Sequence, residues 1–73
     1  MSTMGERGQR LRARRVALGL TMAEVADAAG ISEGAVSRLE AGKMPNASFN
    51  LVISVLRVLK MTVEDLDVHA VLA

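Results

Sequence analysis

The sequence of 73 residues contains no cysteine, one proline and a single aromatic side chain, Phe49. Without cysteine, neither a disulfide framework nor a thiolate metal site can stabilise the fold. The core must therefore be built from Val, Leu, Ile, Ala and Met side chains, which suits closely packed short helices. No apolar stretch approaches the roughly 18 residues that a bilayer span requires, and the N-terminus lacks the apolar segment of a secretory signal. We expect a cytoplasmic protein that does not bind membranes.

Groups of residues that carry enzyme chemistry are also missing. The chain has no Ser/His/Asp constellation, no phosphate-binding glycine loop and no cluster of histidines with carboxylates, and His69 is its only histidine. The sequence therefore predicts a protein that is not an enzyme and that holds neither a metal ion nor a cofactor. Its length predicts one domain over residues 1–73. Domains of this size bury only about 60% of their unfolded surface, so a monomer is expected to be marginally stable.

Charge is distributed unevenly along the chain, although the formal net charge is only +1. Residues 1–20 hold five arginines against one glutamate, a balance of +4, whereas residues 21–73 have a balance of −3. This places a positive field at one end of the domain, as binding to the phosphates of a nucleic acid requires. The alternative is that these arginines are simply solvated on a short helix.

Residues 22–41 have the pattern of a helix-turn-helix. Ala26 is a small residue in the middle of the first helix, where the second helix can cross close to the backbone. Gly30 falls at the position after that helix where a positive φ is favoured, and Ser32 can cap the second helix. Further apolar positions are spaced to fill the core between the two helices: Val25, Ala29, Ile31, Val36 and Leu39. This motif usually holds one helix out toward the major groove of DNA.

The rest of the chain predicts three further helices. The expected bounds are Glu6 to Leu18 for helix 1, Thr21 to Ala29 for helix 2, the residue after Ser32 to Ala41 for helix 3, Ser48 to Lys60 for helix 4, and a start at Thr62 for helix 5. Thr21 and Glu24 predict a capping box at the start of helix 2. Helix 4 is rich in β-branched residues, which is compatible with a strand on local propensity. One isolated strand would have no partner, so the context favours a helix.

Helix 4 is apolar nearly all round, which is typical of a helix that is buried on more than one side. In a domain this small, one of those sides must face something other than the protein's own core. Helix 5 repeats this pattern. We therefore expect a homodimer interface on helices 4 and 5, over about residues 48–73, with Val68, Val71 and Leu72 as the first choice.

The flanks of the motif extend the pattern. Gly19-Leu20-Thr21 leads directly into it, and Leu39-Glu40-Ala41-Gly42-Lys43 ends its second helix in a Gly-Lys turn. Over residues 9–66 the chain resembles the phage repressor/Cro-like (XRE) family of DNA-binding domains. The resemblance implies an all-α, five-helix repressor/Cro-like helix-turn-helix domain that binds double-stranded DNA, usually as a dimer.

The resemblance also implies which residues read bases, because the family uses the first, second and sixth positions of helix 3 and the first residue of helix 2. Here these are Glu33, Gly34, Arg38 and Met22. Arginine can grip guanine with two hydrogen bonds, and glutamate can accept one from cytosine N4. The alternatives are a phosphate contact or solvation for Arg38, and a favourable charge at a helix N-terminus for Glu33. Ser37 can reach a phosphate or, at closer approach, a base. Met22 and Gly34 depart from the family pattern, since neither makes a bidentate base contact.

Phosphate contacts are expected at two turns and on helix 1. They comprise Thr21 at the start of helix 2, Lys43, Asn46 and Ser48 where the family makes a second backbone contact, and Arg10 and Arg14 on one face of helix 1. Such contacts position a protein on DNA but read no sequence. Arg15 and Glu40 match a family ion pair between helix 1 and helix 3, which implies a structural role.

These features predict a sequence-specific transcriptional regulator, a repressor that binds a palindromic operator as a homodimer. The alternative is a helix-turn-helix adaptor or antitoxin that acts mainly by binding another protein through helices 4 and 5. Met22, Gly34 and the low net charge favour this alternative. The arginines of helix 1 and the Gly-Lys turn favour DNA.

Overall fold

The computed structural model describes residues 3–66, and within them the protein is all-helical with five helices. The helices are α1 (Met4–Ala17), α2 (Met22–Ala29), α3 (Glu33–Glu40), α4 (Phe49–Leu59) and α5 (Val63–Leu66). None of these helices is long and apolar enough to cross a membrane. The predicted all-α, five-helix helix-turn-helix fold is confirmed.

Hydroxyl side chains determine where four of these helices begin. Thr3, Thr21, Ser32 and Ser48 each accept a hydrogen bond from the backbone N–H three residues later, which satisfies one of the N–H groups that a helix start leaves unpaired. Thr3 moves the start of α1 to Met4, two residues before the expected position. The predicted capping box of α2 is present, with Glu24 accepting from the N–H of Thr21 at 2.9 Å.

The core lies between the helices and is aliphatic, as the composition requires. It is made of Leu11, Val25, Ala26, Val36, Val55, Leu56, Leu59 and Leu66. The α2 helix packs against α3 and α4, while α1 packs against α3, α4 and α5. The only aromatic side chain, Phe49, is outside this core and is 70% exposed.

The ambiguous apolar segment is the helix α4, so the strand interpretation is wrong. Val55, Leu56 and Leu59 are buried, and the other apolar side chains from Leu51 to Val58 are half-buried. This follows from the position of α4, which has α2 on one side and α1 on another. Most of its apolar surface is therefore covered by the protein's own helices, and the surplus left for a partner is smaller than expected.

Gly8 allows α1 to approach α3 closely. It is buried, and a Cβ atom placed on it would lie 2.5 Å from the carbonyl oxygen of Leu39 and closer still to that of Glu40. Real Cβ atoms essentially never come this close to backbone atoms. This close approach packs the last turn of α3 directly against α1, and it thereby determines the orientation of α3.

Candidate nucleic-acid interface

The α2–α3 pair has the geometry of a helix-turn-helix, with a short turn that orients the second helix. Gly30 ends α2 with a φ of 71°, in the left-handed region that glycine adopts without steric cost. The N–H of Ile31 then donates to the carbonyl of Ala26 at 3.0 Å, and Ser32 caps α3 by accepting from Ala35 at 3.1 Å. These short-range bonds determine the direction in which α3 leaves the turn.

One face of α3 is buried and the opposite face is open. Ala35, Val36 and Glu40 are buried and Leu39 is half-buried, so these positions face the protein. The exposed positions are Glu33, Gly34, Ser37 and Arg38. All four residues of α3 that were predicted to contact bases therefore share the open face. This is the arrangement of a helix that is available to enter a groove of DNA.

Arg38 and Gly34 lie one turn apart on this open face. Nη1 of Arg38 is 3.7 Å from the position that a Cβ on Gly34 would occupy, so the side chain extends toward the N-terminus of α3. No hydrogen bond or ion pair within residues 3–66 engages the Arg38 side chain. Gly34 has room for a Cβ, which means that packing within the domain does not require glycine there.

Met22 differs from the other predicted base-contact residues. It is half-buried at the first position of α2 and packs against the core. Only part of its side chain is available to touch DNA, so an apolar contact is the most that it offers.

The candidate phosphate contacts at the turns are exposed. Lys43 follows Gly42 after α3, Asn46 lies in the loop, and Ser48 caps α4. Thr21 is exposed at the start of α2 and takes part in its capping box. The N–H groups of Thr21 and Glu24 are already used within the capping box, at 2.9 and 3.0 Å, so they are not available to a phosphate. The hydroxyl proton of Thr21 remains a possible donor because its oxygen acts only as an acceptor in the box.

Arg10 and Arg14, which were predicted to contact phosphates, donate hydrogen bonds to carbonyl groups of the domain itself. Nη1 of Arg10 donates to the carbonyl of Leu66 at 2.5 Å, and Nε of Arg14 donates to that of Leu59 at 3.0 Å. These carbonyls end α5 and α4, where unpaired C=O groups carry partial negative charge. The two arginines thus brace α1 against the ends of α4 and α5, and they form no part of the proposed interface.

Arg15 and Glu40 are brought together as a bidentate ion pair. Nε of Arg15 lies 2.7 Å from Oε2 of Glu40, and Nη2 donates to Oε1 at 3.1 Å. The two side chains are only 11% and 6% exposed. Nη1 of Arg15 also donates to the carbonyl of Leu20 at 2.9 Å, which connects the pair to the α1–α2 turn. The hydrogen bond to Glu40 raises the pKa of Arg15 above its ordinary value.

Comparison with known proteins agrees with this geometry. The family model described as a helix-turn-helix domain matches residues 6–68. The chain belongs to this family. Its resemblance to XRE-type regulators is also confirmed by solved structures. No curated protein sequence matches it significantly.

Two regulators of known structure are similar to the chain over most of its length. One is the restriction-modification controller protein C.AhdI from Aeromonas hydrophila, with 28% identity, a TM-score of 0.78 and coverage of 86% of this chain and 94% of that protein. The other is the clp gene regulator ClgR from Corynebacterium glutamicum. Two structures of ClgR each show 34% identity and a TM-score of 0.80 and cover 93% of this chain, against 71% and 86% of the ClgR chains. The protein is thus a helix-turn-helix DNA-binding protein of the transcriptional regulator type.

Proposed function

We propose that the protein is a sequence-specific repressor that binds a palindromic operator as a homodimer. The observation that carries this proposal is the open face of α3, where Glu33, Gly34, Ser37 and Arg38 are exposed together while the opposite face is packed. A repressor of this kind acts by occupying a promoter, which needs no domain other than the one that binds DNA. Mobility-shift assays on the DNA upstream of the gene test the proposal directly.

Within the proposed interface, Arg38 has the main role in reading sequence. Its guanidinium is exposed and unpaired among residues 3–66, so it can donate two hydrogen bonds to guanine O6 and N7. Glu33 offers an acceptor for cytosine N4 at the start of the same helix. Gly34 lets the helix backbone come close to the groove, which compensates for the side chain that it lacks. Ser37 and Met22 add contacts at the edge of this surface.

Arg38→Ala is expected to weaken binding to the operator by about 1–3 kcal/mol and to relax the preference at one base pair, because it removes a base contact. Lys43→Ala is expected to weaken binding to all sequences similarly and to lower the salt slope by about one, because it removes a phosphate contact. Both changes are measured by titrating each variant with operator and random duplexes at several salt concentrations.

Each of these two variants serves as the control for the other, since each removes one exposed cation. An equal loss of affinity for operator and random DNA in both variants would show that Arg38 binds phosphate.

The homodimer is proposed on exposed apolar surface that surrounds a groove. The first-choice residues Val68, Val71 and Leu72 lie outside the described residues. Within residues 3–66, a groove of about 400 Å³ is lined by residues of α1, α4 and α5, by Leu39 of α3 and by the loop between α3 and α4. Phe49 and Val63 line it with 70% and 50% of their surface exposed. Exposed apolar residues grouped around one groove favour a protein interface.

A two-fold dimer would hold two α3 helices about 34 Å apart, so that both could enter the same face of the duplex. Leu72→Glu and Phe49→Glu are each expected to give folded monomers that bind a half-site weakly and lose most affinity for the palindrome, because the two half-sites are no longer bound in concert. Sedimentation at tens of micromolar protein, alone and with DNA, measures the assembly state.

Val16→Glu is the matched control, since Val16 is 59% exposed on α1 and does not line the groove. If the unmodified protein sediments as a monomer both alone and on DNA, the homodimer is excluded. The same apolar groove would then favour the alternative function, an adaptor or antitoxin that binds a different protein.

A further inference from the structure

A small cleft lies where α1, α2 and α3 meet, beside the open face of α3. It has a volume of about 180 Å³ and is lined by Arg12, Met22, Ser37, Glu40 and Ala41. Two of these residues, Met22 and Ser37, belong to the proposed DNA interface. Arg12 is the residue that α1 contributes to the rim of that interface.

Arg12 differs from its neighbours on α1 in what its side chain binds. Arg10, Arg14 and Arg15 donate to carbonyl or carboxylate oxygens of other elements. Arg12 is exposed, and no hydrogen bond or ion pair within the described part of the chain engages it. Its position follows from the helix period, since it lies one turn from Gly8 and from Arg15, both of which face α3.

The charges around the cleft favour an anion at Arg12. Glu40 is the only acidic residue that lines the cleft, and its carboxylate is already held by the two hydrogen bonds from Arg15. The pair contributes no net charge, so the guanidinium of Arg12 leaves this rim positive. An exposed arginine side chain can turn from water to a phosphate oxygen, with which it forms strong charge-assisted hydrogen bonds.

We propose that Arg12 binds a phosphate of the DNA strand that passes over the start of α2 while α3 lies in the major groove. The inference rests on the proposed DNA-binding function and adds a contact from α1 to it. A phosphate fits better than a base, because Arg12 belongs to the helix behind the helix-turn-helix and not to the helix that enters the groove.

The test compares Arg12→Ala with Arg57→Ala, which removes the same charge from an exposed position. Arg57 lies in the last turn of α4, about 13 Å along the helix from Ser48 at its start, and takes no part in the proposed interface. The probes are a duplex that the unmodified protein selects from a random library and a random duplex of the same length. Affinities are measured over a range of salt concentrations.

We expect Arg12→Ala to lower the affinity for both duplexes by a similar factor and to reduce the salt slope by about one. Arg12→Lys is expected to keep most of the slope, since it retains the charge, and Arg57→Ala is expected to change the slope much less. Because Arg12 has no acceptor among residues 3–66, thermal unfolding of Arg12→Ala is expected to match that of Arg57→Ala.

Failure of this inference and failure of the proposed function give different results. If the unmodified protein selects no duplex and binds no random DNA, the proposed function is wrong. If it binds DNA and Arg12→Ala matches Arg57→Ala in affinity and salt slope, the Arg12 contact does not exist. If Arg12→Ala loses affinity for the selected duplex alone, Arg12 reads a base and the phosphate assignment is overturned.

Discussion

Replacing Gly8 with alanine is expected to lower the free energy of unfolding by about 3 kcal/mol, at the upper end of what overpacking usually costs. The added Cβ would overlap the carbonyl oxygens of Leu39 and Glu40, which are backbone atoms and cannot rotate away as a side chain could. Alanine favours a helix interior over glycine by about 1 kcal/mol, and this gain is too small to offset the overlap. Urea denaturation followed by circular dichroism measures the change.

Gly5→Ala is the matched control on the same helix. Among the residues that the structure describes, a Cβ on Gly5 would have one neighbour, the Thr3 hydroxyl oxygen at 3.9 Å, which is an ordinary contact distance. The free energy of unfolding of Gly5→Ala is therefore expected to be unchanged or raised by up to about 1 kcal/mol. Equal stabilities for the two alanine variants would mean that α1 and α3 do not approach as closely as the structure shows.

Replacing Arg15 with methionine is expected to destabilise the protein by about 3–5 kcal/mol, the cost of removing one partner from a buried ion pair. Glu40, with a side chain only 6% exposed, would lose both of its hydrogen bonds from Arg15. The carbonyl of Leu20 would lose its bond as well. The sequence preference for DNA is expected to stay the same, because neither Arg15 nor Glu40 lies on the open face of α3. Thermal unfolding and operator titration measure the two properties.

The double variant Arg15→Met with Glu40→Leu separates the pair from its surroundings. Replacing both charges by apolar side chains of similar volume is often neutral or stabilising, so the double variant should recover much of the stability that Arg15→Met loses. A melting temperature of Arg15→Met equal to that of the unmodified protein would contradict a buried pair.

The pKa of Arg15 determines how the ion pair depends on pH. Because pairing raises this pKa in the folded state, the contribution of Arg15 is complete below its unfolded pKa and is lost only as pH rises through the folded value. Both values lie far above neutrality, so no loss of the Arg15 contribution is expected near pH 7.

Features that depend on neighbouring residues could be predicted from the sequence. These features are the Thr21–Glu24 capping box, the Ser32 cap and the left-handed Gly30. Each of them depends on residues that are only a few positions apart. Their geometry is therefore decided by local chemistry, and the bounds of α2 and α3 follow to within a residue. The open face of α3 was also predictable, because the period of the helix separates its apolar positions from its polar ones.

The roles of the arginines show what sequence patterns do not reveal. The excess of arginine near the N-terminus suggested one surface for phosphate, but Arg10 and Arg14 bind carbonyls that lie 56 and 45 residues away in the chain. Their spacing of four residues shows that Arg10 and Arg14 share a face of a helix, but it does not show which element that face meets. The carbonyl groups come within hydrogen-bonding distance of these arginines only when α4 and α5 pack against α1.

What the sequence by itself determined is thus the set of helices, their caps and the helix-turn-helix that exposes Glu33, Gly34, Ser37 and Arg38. The tertiary structure alone decided which arginine of α1 stays available to an anion, why Gly8 must lack a side chain, and how much of α4 is covered. The physical reason is the same in each case. A hydrogen bond within a turn depends on residues three or four apart, whereas a close approach between helices depends on atoms that only the folded chain brings into contact.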